Sequence, residues 1–143
     1  MTATFTSPKS ERISLKRLLW VGPLAIVLAL AANFVVRALA LAVLDIPADF
    51  EQLQTPAFIP LTIIGLLGAI LTFALIGRLS RRPVRVFQIV AAVVLVLSFL
   101  PDIGLLATGA PGATLPAILV LMLMHVVAAV IAVLMLTRFA VER

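Results

Sequence analysis

Asn33, Arg37, Asp102 and His125 stand within or beside long stretches of apolar sequence. These residue types can do chemistry on a bound molecule. An imidazole and a carboxylate exchange protons, an arginine stabilises developing negative charge, and an asparagine amide orients a water or a substrate oxygen. His125, Asp102 and Arg37 are therefore the candidates for acid–base catalysis. Asn33, Arg37, Ser98, Asp102 and His125 are the candidates for ligand contact. Each also has a plainer use. Arg37 could pair with Asp45 or Asp102, or reach the headgroups. Asn33 could join two helices. Asp102, next to Pro101, could be solvated at a helix end. His125, flanked by Met122, Met124 and Val126, could be a hydrogen-bonded core histidine.

Several chemistries are excluded or unsupported. The chain has one histidine and no cysteine, which removes disulfides, zinc–thiolate sites, iron–sulfur clusters and thiol redox relays. Metal or haem ligation by one histidine would need a second chain or a methionine partner. No metal site and no cofactor are expected. There is no nucleophile motif, no HExxH and no phosphate-binding loop.

The elements that must position these residues follow from composition. Of 143 residues, 64% are hydrophobic and 12% charged, about half the charged share of a soluble domain. The natural solvent for such a chain is lipid. Apolar runs cover residues 18–44, 57–77, 84–100 and 116–137, each within the roughly 17–25 residues of a span or longer. Lipid offers no hydrogen-bond partners, so each run should be helical. The expected fold is an all-α bundle of four transmembrane helices spanning residues 18–143, behind a flexible basic tail over 1–17. Loops at 45–56 and 101–115 are marked by prolines, glycines and acids, and a basic turn lies at 78–83.

Charge sets the expected orientation. Lys9, Arg12, Lys16, Arg17, Arg78, Arg81, Arg82, Arg85, Arg138 and Arg143 all fall on one side of this four-span arrangement, whereas Asp45, Asp49, Glu51 and Asp102 fall on the other. Basic loops stay in the cytoplasm, so both termini are expected there, in a multi-pass protein of the plasma membrane. Trp20 lies at the inner boundary, where indoles are favoured. The net charge of +5 is thereby a topology signal with some attraction to anionic lipid. Nucleic acid is not an expected partner. A competing reading takes Ala29-Leu30-Ala31 as a signal-peptide cleavage site, although apolar sequence continues to Leu44. N-terminal sequencing that found a mature start at Ala32 would replace four spans with three.

Helix rise then gives depths. Counting about 1.5 Å per residue from the basic boundary, Asn33 is roughly 24 Å up, Arg37 roughly 30 Å, Asp102 about 25 Å and His125 about 20 Å. All four fall in the outer half of the bilayer. Asn33 and Arg37 share a helix face, and Gln88, Ala91, Leu95, Ser98 and Asp102 form a stripe on the third span. Small residues, Ala25, Ala29 and Ala32 in the first span and Gly65, Gly68 and Thr72 in the second, permit close packing. A compact bundle with a semi-polar pocket near its outer end is the simplest arrangement. The loop 45–56, with Phe50 and Leu53 amid acids, could serve as a lid.

The order Gly22-Pro23, Ala32-Asn33-Phe34-Val35-Val36-Arg37, Arg82-Pro83 with Val86-Phe87, Pro101-Asp102 and Leu123-Met124-His125-Val126-Val127-Ala128-Ala129 resembles a family of uncharacterised four-span integral membrane proteins common in actinobacteria, a domain of unknown function. The resemblance runs from Arg17 to Phe139. It implies the fold and a bacterial plasma-membrane address, and it implies no activity.

Three functions stay open, and the residues leave undecided whether the chain is an enzyme. The first is binding of a lipophilic ligand or of partner helices, including a second copy of the chain, with membrane lipid as the constant partner. The second is a membrane-embedded enzyme hydrating, isomerising or cyclising a lipophilic substrate. The third is a small transporter. A cation exporter is disfavoured because the first span has no interior acid, while an anion route past Arg37 remains.

Overall fold

The computed structural model describes residues 12–142. Residues 1–11 of the expected tail, Lys9 included, and Arg143 lie outside the described residues. Four helices fill the described chain: α1 (Leu15–Val43), α2 (Thr55–Leu79), α3 (Pro83–Ala107) and α4 (Leu115–Phe139). Each is long and apolar enough to cross a membrane. At about 1.5 Å per residue, each exceeds the ~30 Å hydrocarbon thickness. Prolines open the last three helices at positions where a missing N–H costs nothing. Thr114 caps α4 by accepting from the Ala117 N–H at 3.4 Å.

Two boundaries differ from the sequence reading. α1 begins at Leu15, and residues 12–13 pair with Val141–Glu142, so residues 12–17 of the expected tail, those next to the bundle, are folded. At the other boundary, α3 continues through Pro101 to Ala107 rather than ending near Leu100. A proline removes one backbone bond, whereas stopping a helix in lipid would strand several groups. The consequence is large for Asp102: it is a helix residue, 4% exposed, and not a solvated loop acid.

α4 touches all three other helices, most extensively α1, and the α2–α3 contact is the sparsest between chain neighbours in the bundle. Three apolar zones stack along the axis. In the middle, Ala25 and Ala29 of α1 meet Ala132 of α4, with Leu66 of α2 alongside. At the end that carries residues 12 and 142, called the terminal end, Leu18, Val21, Phe73, Phe87 and Leu136 form a cluster, in which the Phe73 and Phe87 rings meet edge-on at 4.8 Å. Arg12–Ile13 pairs antiparallel with Val141–Glu142, and the Ile13 side chain packs where a Cβ at Gly77 would stand. Both ends of the described chain and the α2–α3 turn are thus tied to one side of the bundle.

At the opposite end, called the loop end, Phe50 and Leu53 of the α1–α2 connection are buried with Phe58, Ile118 and Met124. A short 3-10 turn, Glu51–Leu53, presents them. The α3–α4 connection closes against this loop at Gly112. Its φ of 66° is left-handed, and a Cβ there would collide with the Phe50 backbone, so only glycine suits the position. The remaining large apolar side chains, such as Leu19, Leu39, Leu71, Val96 and Leu119, point outward, as lipid-facing residues should.

Candidate functional site

The sparse α2–α3 contact leaves a cavity of about 690 Å³, walled by α2, α3 and α4 and reached by Asn33 from α1. Exposed residues of α2 (Leu61, Ile64) and α3 (Val94) sit on its rim, so it opens sideways between these two helices, toward lipid. Gly65 and Gly68 line it with nothing within 4 Å of where a Cβ would stand. Along α2, Thr62, Gly65, Ala69 and Thr72 follow helical spacing down the wall. Ala91 of α3 and Ala128, Ala129 and Ala132 of α4 keep the opposite wall low. These small residues were expected to bring helices together. Ala25 and Ala29 of α1 do so, whereas Ala32 is only half-buried; Gly65 and Gly68 of α2 make room instead.

Polar groups concentrate toward the loop end of this cavity. Asn33, 2% exposed, donates from Nδ2 to the Thr62 hydroxyl at 3.3 Å. Asp102 Oδ2 lies 3.3 Å from His125 Nδ1. The same nitrogen is 2.9 Å from the Leu121 carbonyl oxygen one turn back on α4. Its proton therefore points mainly at the carbonyl, with the carboxylate as a second, longer neighbour. The Ser98 hydroxyl donates to the Leu95 carbonyl at 2.7 Å, the usual use of a serine inside a helix. Asn33, Ser98, Asp102 and His125 all line the cavity, so four of the five candidate contact residues come together.

Arg37 does not join them. It is one turn beyond Asn33, and its Nε donates to the Leu53 carbonyl. Its guanidinium lies 5.8 Å from the centre of the Phe58 ring, within the range of a cation–π contact. Among the described residues it forms no ion pair with Asp45 or Asp102; the acid's ionisable neighbour is His125. Arg37 thus fastens the 45–56 loop to the bundle. Gln88, at the terminal end of the α3 stripe, is exposed and off the cavity.

Two polar wall residues escaped the sequence reading. Thr62 could have been found, since it heads the same small-residue face of α2 as Gly65 and Thr72. Gln52 comes from the connection above, where no periodicity predicts direction. Among the described residues, three buried oxygens have no hydrogen-bond donor: Oδ1 of Asn33, Oε1 of Gln52 and Oδ2 of Asp102. All three residues belong to this cavity. Unpaired buried acceptors are rare, and their clustering marks this end as the functionally interesting one. No group of three or more His, Cys, Asp or Glu could hold a metal ion among the described residues.

Four long apolar helices around a laterally open, one-end-polar cavity define a multi-pass membrane protein of the four-helix-bundle class. Residues 13–142 match the family of unknown function DUF6069, and the chain belongs to that family. No curated protein and no solved structure matches it.

Proposed function

We propose that this protein binds a lipophilic molecule, taken from the bilayer through the gap between α2 and α3. The observation that carries the reading is the cavity: about 690 Å³, open sideways, apolar along most of its length and polar at the Asn33–Asp102–His125 end. Sites for small molecules have this volume and this mixture of apolar wall and few polar groups. A space of this size that served only packing would forfeit contacts on both walls. Native mass spectrometry of the protein released from its own membrane tests the reading. A stoichiometric lipophilic adduct that survives detergent exchange is expected. Adducts that merely mirror the bulk lipid composition would contradict it.

One observation favours a second reading, catalysis on the bound molecule. The Asp102 carboxylate and the His125 imidazole lie 3.3 Å apart on the cavity wall, so His125 can take or give a proton there, its Nδ1 side held by the Leu121 carbonyl with Asp102 beside it. Hydration, isomerisation or cyclisation of a lipophile would suit this pair. Arg37, turned to Leu53, supplies no charge to it.

The orientation with both termini in the cytoplasm of the plasma membrane is part of the same proposal. It rests on the basic residues near the terminal end and the acids of the 45–56 loop. The chain has no cysteine, so single cysteines introduced at Asp49 and Arg81 can be labelled cleanly in intact cells. Labelling at position 49 alone by a membrane-impermeant reagent is expected; the reverse pattern would invert the topology.

A further inference from the structure

The cavity's polar end has an uneven hydrogen-bonding inventory. His125 Nδ1 faces two oxygens, the Leu121 carbonyl at 2.9 Å and Asp102 Oδ2 at 3.3 Å. Both are acceptors, so Nδ1 carries the proton, and in the neutral ring Nε2 is then an acceptor. The ring is 37% exposed and lines the cavity, and no hydrogen bond occupies Nε2 among the described residues. The other groups lean the same way. Asp102 offers only oxygens. The Ser98 hydrogen is committed to Leu95, which leaves its lone pairs. Asn33 gives one amide N–H to Thr62 and keeps Oδ1 unpartnered. The second Asn33 N–H, the Thr62 hydroxyl and the Gln52 amide are the donors left over at this end among the described residues. Among the described residues no lysine or arginine lines the cavity, and Arg37 is engaged on the loop.

Resting on the reading of this cavity as a binding site, we infer that its occupant carries a hydrogen-bond donor, an O–H or N–H on a neutral or cationic head, and presents it to His125 Nε2. An anionic head such as a phosphate or carboxylate would meet a carboxylate and lone pairs with no counter-charge. An ether or ester head has no hydrogen to give and would leave His125 Nε2 and Asp102 Oδ2 without a donor. Sites built around an unpaired polar group reject analogues that lack its partner far more strongly than they sense an extra methylene. The discrimination is therefore expected to be strong.

A panel with one alkyl chain and varied heads tests this. Untagged protein, labelled with ¹⁵N-histidine, is placed in phosphatidylcholine nanodiscs and titrated with 1-dodecanol, dodecylamine, dodecyl methyl ether, dodecyltrimethylammonium and dodecanoate. His125 is the only histidine, so the ring signals belong to it alone. The expected result is an unprotonated Nε2 whose resonance moves with dodecanol or dodecylamine. Those ligands should bind at least roughly tenfold more tightly than the ether, the quaternary amine or the anion. Which of the two binds better identifies the donor as O–H or N–H. Ether or dodecanoate binding as tightly as dodecanol would overturn the inference while leaving the cavity as a binding site. So would a ring protonated on Nε2 and bare on Nδ1. If no member of the panel binds, the binding reading itself falls with it.

Discussion

The α1–α4 seam and the α2–α3 gap are both built from small residues, and they do opposite things. On the seam, Ala25 and Ala29 are fully buried against α4, where Ala132 meets them, and the two helices share the most extensive contact in the bundle. At the gap, Gly65 and Gly68 face open space. In lipid, helix association relies on close packing because the hydrophobic effect gives no net drive between helices. A small residue tightens an interface only when the partner backbone can approach it. Here α2 meets α3 at the terminal end through the Phe73 and Phe87 rings, whereas at the loop end its Phe58 packs against Phe34 of α1 and leaves the α3 side of α2 open between.

The sharpest way to break this comparison is to enlarge a seam residue. Ala29→Leu should cost about 3 kcal/mol, at the high end for overpacking, read as a fall in thermal midpoint in maltoside detergent. A variant as stable as the parent would mean the seam is looser than its burial indicates. Gly112→Ala comes next, at about 2 kcal/mol, because a Cβ at positive φ is strained and also strikes the Phe50 backbone. Limited proteolysis should show the 45–56 loop opening first; cleavage elsewhere would remove the loop contact from the account. Arg37→Ala follows at roughly 1–2 kcal/mol, through loss of the bond to Leu53 and the contact over Phe58. Reversing charges at Arg37 and Asp102 together should give no rescue over the single changes, since the two are not paired; recovered yield would contradict the placement of Arg37. The smallest effect belongs to Asn33→Ala, under about 1 kcal/mol. It loses one long hydrogen bond of the kind that contributes little in membranes and removes an unpartnered oxygen. A larger loss of thermal midpoint would make the Asn33–Thr62 bond a main tie between α1 and α2.

Much of the fold was legible in the sequence, for a physical reason. A chain this apolar must span lipid, and lipid leaves the helix as the only way to satisfy its backbone, so run lengths give the elements directly. The site was legible in height but not in direction. Counting helix rise brought Asn33, Arg37, Asp102 and His125 to similar depth, and three of the four do line one cavity. Arg37 differs because a long side chain one turn higher reaches a peptide carbonyl of the loop, which spacing alone does not reveal. In the sequence Asp102 looks like a helix-end acid because Pro101 precedes it, but the proline does not end α3. Gly65 and Gly68 were read as packing residues because periodicity places a residue on a face without saying what stands opposite.

If the α2–α3 gap is a ligand space and not a loosely packed contact, Gly68→Leu should abolish binding without loosening the bundle. The leucine would project into the cavity, so the thermal midpoint should hold or rise slightly while the lipophilic adduct in native mass spectrometry, and dodecanol binding with it, is lost. A marked fall in thermal midpoint with the adduct retained would contradict the account and make the gap an ordinary helix interface.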